Sequence, residues 1–160
     1  MFKSADDAIR FAFRMRGKPI ISMNSNVYMS KGEIGGSGHG KLTAYDLHAQ
    51  SGMIWGCMER LPREQIAWVY AVYGEAREKR VAARVLAWYV AKDIDVRGMK
   101  RSNADLRRVI ESRSIRHCAK LLGVTPYKAM RIRRAVTAAM EPLGFAVYEE
   151  LQRKMGLNRA

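Results

Sequence analysis

The sequence predicts an all-α fold: a multi-helix globular domain with a helix-turn-helix towards its C-terminus and a long N-terminal loop. Three observations predict it. Apolar residues recur at helical spacing over most of residues 43–160. Ser or Thr stands three residues before Asp at Ser4/Asp7, Thr43/Asp46 and Ser102/Asp105, the arrangement in which a hydroxyl and an acid close the first turn of a helix. Gly and Pro cluster between these segments, above all in residues 18–41, which hold Pro19 and five glycines.

Taken in order, Ser4 opens a short helix with Ile9, Phe11, Phe13 and Met15, and Gly17 closes it. Residues 18–41 read as a long loop, in which Ile20, Ile21, Val27 and Tyr28 are open to a short strand or to docking on the helices. Residues 1–42 thus form an N-terminal helix and Gly-rich loop, set apart from a helical domain at 43–160. Thr43 starts a second helix whose apolar positions are Leu47, Ile54, Trp55, Met58 and Leu61, up to the break at Pro62. Pro62 suits the first turn of the next helix, with Ile66, Val69, Tyr70 and Tyr73 on one face and Gly74 as its stop. Residues 75–94 continue with Val81, Val85, Leu86 and Tyr89 inward and Arg77, Lys79, Arg80 and Arg84 outward. Trp68 and Trp88 are expected in the core. Ser102, Ser114 and the pair Thr125-Pro126 begin three further helices. Pro142 is expected to end the last of them, before a closing amphipathic helix with Phe145, Tyr148, Leu151 and Met155.

The chain carries 29 Lys and Arg against 15 Asp and Glu, a net charge of +14, while 48% of its residues are hydrophobic. It can bury a core, so the charge belongs to a folded surface. Such a surface faces a polyanion: nucleic acid first, then an anionic membrane or an acidic protein. The two cysteines, Cys57 and Cys118, are far apart and form no CxxC pair, which excludes a zinc ribbon or finger and makes them small core residues. Asp6 and Asp7 interrupt the apolar stretch a signal peptide needs, and the apolar region at 81–91 is broken by Arg84. The expectation is therefore a cytoplasmic protein that engages no membrane.

Residues 114–136, SIRHCAKLLGVTPYKAMRIRRAV, meet the requirements of a helix-turn-helix. Two helices must cross closely, and Ala119 is small. The turn needs a residue tolerant of positive φ, and Gly123 follows four residues later. Ile115, Cys118, Leu122, Val124, Ala129 and Ile132 fall where apolar side chains must fill the angle between the helices. Thr125-Pro126 gives the second helix a defined start, as a helix aimed into the major groove requires. With Ala129, Ile132 and Val136 inward, Tyr127, Lys128, Met130, Arg131 and Arg134 turn outward. Lys128, Arg131 and Arg134 are base-edge or phosphate readers, Thr125 and Tyr127 offer hydroxyls, and Arg113, Arg116 and Lys120 meet the DNA backbone. Residues 97–134 hold twelve Lys or Arg and two acids, a net of +10, against +4 for residues 1–96 and zero for 135–160. The competing interpretation is an ordinary helical hairpin with a solvated basic face.

Other chemistry has less to stand on. His39, Asp46 and His48 lie beside the glycine-rich SKGEIGGSGHG and could start a metal-dependent nuclease site. However, the loop lacks the GK[ST] ending of a phosphate-binding loop, and Asp46 and His48 sit about 200° apart around a helix. Asp46 is the better partner for the Thr43 cap. No catalytic residue, metal or cofactor is assigned. Met23, Met29, Met53 and Met58 serve as core filling or as an adaptable docking surface.

The segment MIWGCMERLP at 53–62, the paired Tyr70 and Tyr73, and a helix-turn-helix near the end together resemble the phage late-gene antitermination proteins of the Q type. The order of leucine-proline, helix and helix-turn-helix is also similar to region 4 of sigma factors. The resemblance covers roughly residues 50–140; the chain lacks the cysteines of the zinc-bearing antiterminators. It implies a transcription regulator that binds double-stranded DNA beside a promoter and joins the RNA polymerase holoenzyme so that terminators are read through. Thr125, Tyr127, Lys128, Arg131 and Arg134 carry its DNA part. The alternatives are a DNA-packaging (small-terminase-like) or repressor module, and, from another class, the small nuclease; self-association stays open.

Overall fold

The computed structural model describes residues 2–18, 44–96 and 101–156. Their regular structure is wholly α-helical: α1 Ala5–Met15, α2 Ala44–Met58, α3 Arg63–Tyr73, α4 Ala76–Val96, α5 Asn103–Glu111, α6 Ile115–Leu122 and α7 Pro126–Met155. They divide into two compact units, Met1–Arg60 with Leu151–Ala160, and Leu61–Glu150. The expected loop at 18–41, save Lys18, and the Thr43 cap lie outside the described residues, as does the 42/43 boundary.

In the first unit, Ser4 is extended and its hydroxyl accepts the Asp7 N–H at 3.2 Å. Asp6 and Asp7 sit at the positive end of the α1 dipole. The buried face is Ala5, Ala8, Ile9 and Ala12, spaced i, i+3, i+4, i+7, with Phe11 beside it. Phe13 is half-buried, its ring 4.9 Å from that of Trp55 on α2, and the Arg16 guanidinium lies 5.4 Å from the same indole. Leu47, Ser51, Ile54 and Met58 form the buried row of α2.

In the second unit, Pro62 caps α3 without a side-chain bond. The helix stops at Gly74, whose N–H reaches the Tyr70 carbonyl at 3.0 Å. A Cβ at Gly74 would lie 2.5 Å from that same oxygen, so the close approach, not a positive φ, demands glycine here. Glu78 then reaches back to accept the Glu75 N–H at 2.9 Å and starts α4, half of a capping box. Ala67, Ala82, Leu86 and Leu143 join α3, α4 and α7, with Trp68 packed against them. A larger cluster unites α4 (Ala87, Val90, Ile94), α5 (Leu106, Val109), α6 (Cys118, Ala119) and α7 (Ala129, Ile132, Val136, Ala139).

Four expectations are corrected. Trp88 is 70% exposed and Val81 58%, not core. Ala83, Leu86, Ala87 and Val90 take the buried arc of α4, and at 100° per residue positions 81 and 88 fall on the opposite arc. Pro142 does not end a helix but lies inside α7. The apolar row Ile132, Val136, Ala139, Leu143, Val147 stays buried on both sides of it. Burying Leu143 and Val147, at roughly 1.5–3 kcal/mol each, offsets the ~3 kcal/mol that an interior proline costs. Pro142 itself faces solvent, where water can satisfy the carbonyl four residues back. Phe145, between Leu143 and Val147, is 70% exposed for the same reason of register.

Candidate nucleic-acid interface

The surface of interest is built by α6, the turn at 123–125 and the first half of α7. Ser114 is extended and its hydroxyl accepts the His117 N–H at 3.1 Å, which starts α6. Gly123 ends it with φ +63 and ψ 34. There the N–H groups of Gly123 and Val124 both turn back to the Ala119 carbonyl, the latter at 3.1 Å, and a side chain at this left-handed position would be strained. Thr125 starts α7: its carbonyl accepts the Ala129 N–H at 2.9 Å and its hydroxyl the Lys128 N–H at 3.4 Å. Two helices thus meet across three residues with their ends locally satisfied.

The angle between them is filled by Cys118, Ala119, Ala129 and Ile132, with Leu122 and Val124 half-buried against the same cluster. Ile115 departs from expectation. As the first helical residue it overhangs the end of the packed face and is 39% exposed. Met130, expected outward, is half-buried.

All eight residues singled out in the sequence are exposed: Arg113, Arg116, Lys120, Thr125, Tyr127, Lys128, Arg131 and Arg134. Tyr127, Arg131 and Arg134 follow one another at i, i+4 and i+7, one face of α7 about 10 Å long. The two acids of the basic segment are used elsewhere: Glu111 pairs with Arg107 at 3.0 Å and Asp105 with Arg108 at 3.4 Å, both within α5. Among the described residues no carboxylate pairs with Arg113, Arg116, Lys120, Lys128, Arg131 or Arg134. Six cations are left to solvent around the turn, and Lys128 stands in the first turn of α7, where the partial positive charge of the helix N-terminus adds to its own. Sequence reading passed over Arg133, half-buried between Ile132 and Arg134; only its place in the RIRR run marks it.

The other chemistry is less assembled. Asp46 is exposed and His48 half-buried on α2, while His39 lies outside the described residues. Among the described residues no three His, Cys, Asp or Glu side chains are grouped to hold a metal ion. Cys118 is fully buried, whereas Cys57 is only half-buried and so is not the core residue expected. No described helix is long and apolar enough to cross a membrane. Comparison of the chain with protein-family models, curated proteins and solved structures found no match.

Proposed function

We propose that the chain is a sequence-specific DNA-binding transcription regulator that reads a duplex through a helix-turn-helix at 114–136. The observation that carries this reading is the set of six exposed, carboxylate-free cations, Arg113 just before α6 and the other five on α6 and α7, arranged around a turn that a left-handed glycine makes. A B-DNA major groove about 12 Å wide admits one α-helix. With the start of α7 laid in it, Tyr127, Lys128, Arg131 and Arg134 face the base edges, and Arg131 has the donor fork that guanine O6 and N7 accept. Arg113, Arg116 and Lys120 then hold phosphates on the flank and fix the register.

The narrower proposal is antitermination, in which the DNA-bound protein joins RNA polymerase and carries it through terminators. It is supported by the resemblance of residues 53–62 and of the element order that follows.

Binding-site selection from a random duplex pool tests the DNA reading. Arg131→Ala is expected to cost about 1–3 kcal/mol at the selected site and to relax preference at one base pair. Lys120→Ala weakens all sequences alike. An Arg131→Ala protein with unchanged site and affinity would reject α7 as the reading helix. Transcription past a terminator, with and without the protein on DNA that carries the selected site, tests antitermination through the amount of read-through transcript.

A further inference from the structure

The face of α4 turned away from the core carries Arg77, Arg80, Val81, Arg84, Trp88 and Lys92, every one exposed. At 100° per residue they occupy an arc of roughly 120° opposite Leu86 and Val90. From Arg77 to Lys92 this arc holds no acidic residue, and among the described residues its four cations have no ion-pair partner. Trp88 is 70% exposed at its centre, with Arg84 and Lys92 four residues to either side, about 6 Å along the axis each way. A tryptophan with so much surface in water, set between two exposed cations, is poorly accounted for by solubility alone.

We propose that this face is a second nucleic-acid surface, separate from the helix-turn-helix, that takes single-stranded DNA. A base stacks on the Trp88 indole while Arg84 and Lys92 hold the phosphates before and after it, and Arg77 and Arg80 extend the cationic track. The occupant follows from chemistry. In a duplex the base faces are already stacked, so only the cations would be used and Trp88 would have nothing to cover it. DNA is taken over RNA because the proposed helix-turn-helix already brings the chain to DNA, and the choice rests on that reading. A second copy in a two-fold contact would set like charges against each other. An anionic membrane needs a broad apolar face, and here that face amounts to Val81 and Trp88.

The test titrates the full-length chain with a 15-nucleotide oligo-dT and follows tryptophan fluorescence. The expected result is quenching that is lost in Trp88→Phe, with affinity kept within a few-fold, and an affinity at least about tenfold weaker in Trp88→Ala. Arg84→Ala combined with Lys92→Ala should lower the slope of log affinity against log salt by about 1.4, at 0.7 per phosphate contact on a single strand. Arg131→Ala should bind oligo-dT as the parent does, so failure here is distinguishable from failure of duplex reading. The proposal is overturned if Trp88→Ala binds oligo-dT within twofold of the parent. Oligo-rU binding tenfold tighter than oligo-dT, or equal competition by polyglutamate or phosphatidylserine vesicles at matched charge, would overturn it as well.

Discussion

Gly144 has the tightest side-chain constraint among the described glycines. A Cβ placed there would stand 2.7 Å from Cζ2 of Trp68, so α7 meets the indole of α3 with its backbone. The same indole stands edge-on to Tyr148, 5.5 Å between centroids, and the Tyr148 and Tyr73 hydroxyls share a hydrogen bond at 2.7 Å. Gly144→Ala therefore has to displace a ring that stands edge-on to both Tyr148 and Tyr73, and overpacking of this kind costs roughly 1–3 kcal/mol. The expected outcome is a lower Tm together with a changed Trp68 emission, and a smaller loss when Gly144→Ala is made in a Trp68→Leu background. Equal losses in both backgrounds would show that the clash is not the cause. Nothing in the residues around 144 marks this glycine, because the constraint comes from a side chain 76 positions earlier in the chain.

Helix starts were legible because capping is local. Ser4, Ser102 and Ser114 each accept the N–H three residues on, at 3.1–3.2 Å, where the sequence placed them. Pro142 was misread because a helix end is not decided by proline alone. Interior proline removes one hydrogen bond and crowds the preceding turn, yet the buried row of α7 continues past it through Leu143 and Val147. Trp88 was misread for a related reason: register on α4 is set by the whole set of apolar residues, and one large side chain does not outvote it. Pro142→Ala restores the N–H and lifts the crowding, and, less up to ~1 kcal/mol for the extra freedom of the unfolded chain, should stabilise by about 2–3 kcal/mol. Denaturant unfolding would show a higher midpoint with an unchanged slope; a lower midpoint would mean that α7 needs the proline.

The charge of +14 is unevenly placed, and its placement, more than its total, is what the proposed reading requires. The positions facing outward on α6 and α7 were legible because the apolar residues of a helical hairpin leave them no other direction. The lack of partners for those cations was not, since it depends on Arg107 and Arg108 having taken Glu111 and Asp105 within α5. With Arg113, Arg116 and Lys120 on phosphates, the slope of log affinity against log salt for a specific duplex is about −2.7, at 0.9 per contact. Affinity then falls roughly fortyfold between 50 and 200 mM salt. Two substitutions that each remove one positive charge separate location from total. Lys120→Ala should reduce that slope by about 0.9, whereas Arg60→Gln, at an exposed position just beyond α2, should leave it as it was. Because the net charge of the two variants is the same, a non-specific polycation would lose slope equally in both. That equality would dismiss α6 and α7 as the DNA-facing surface.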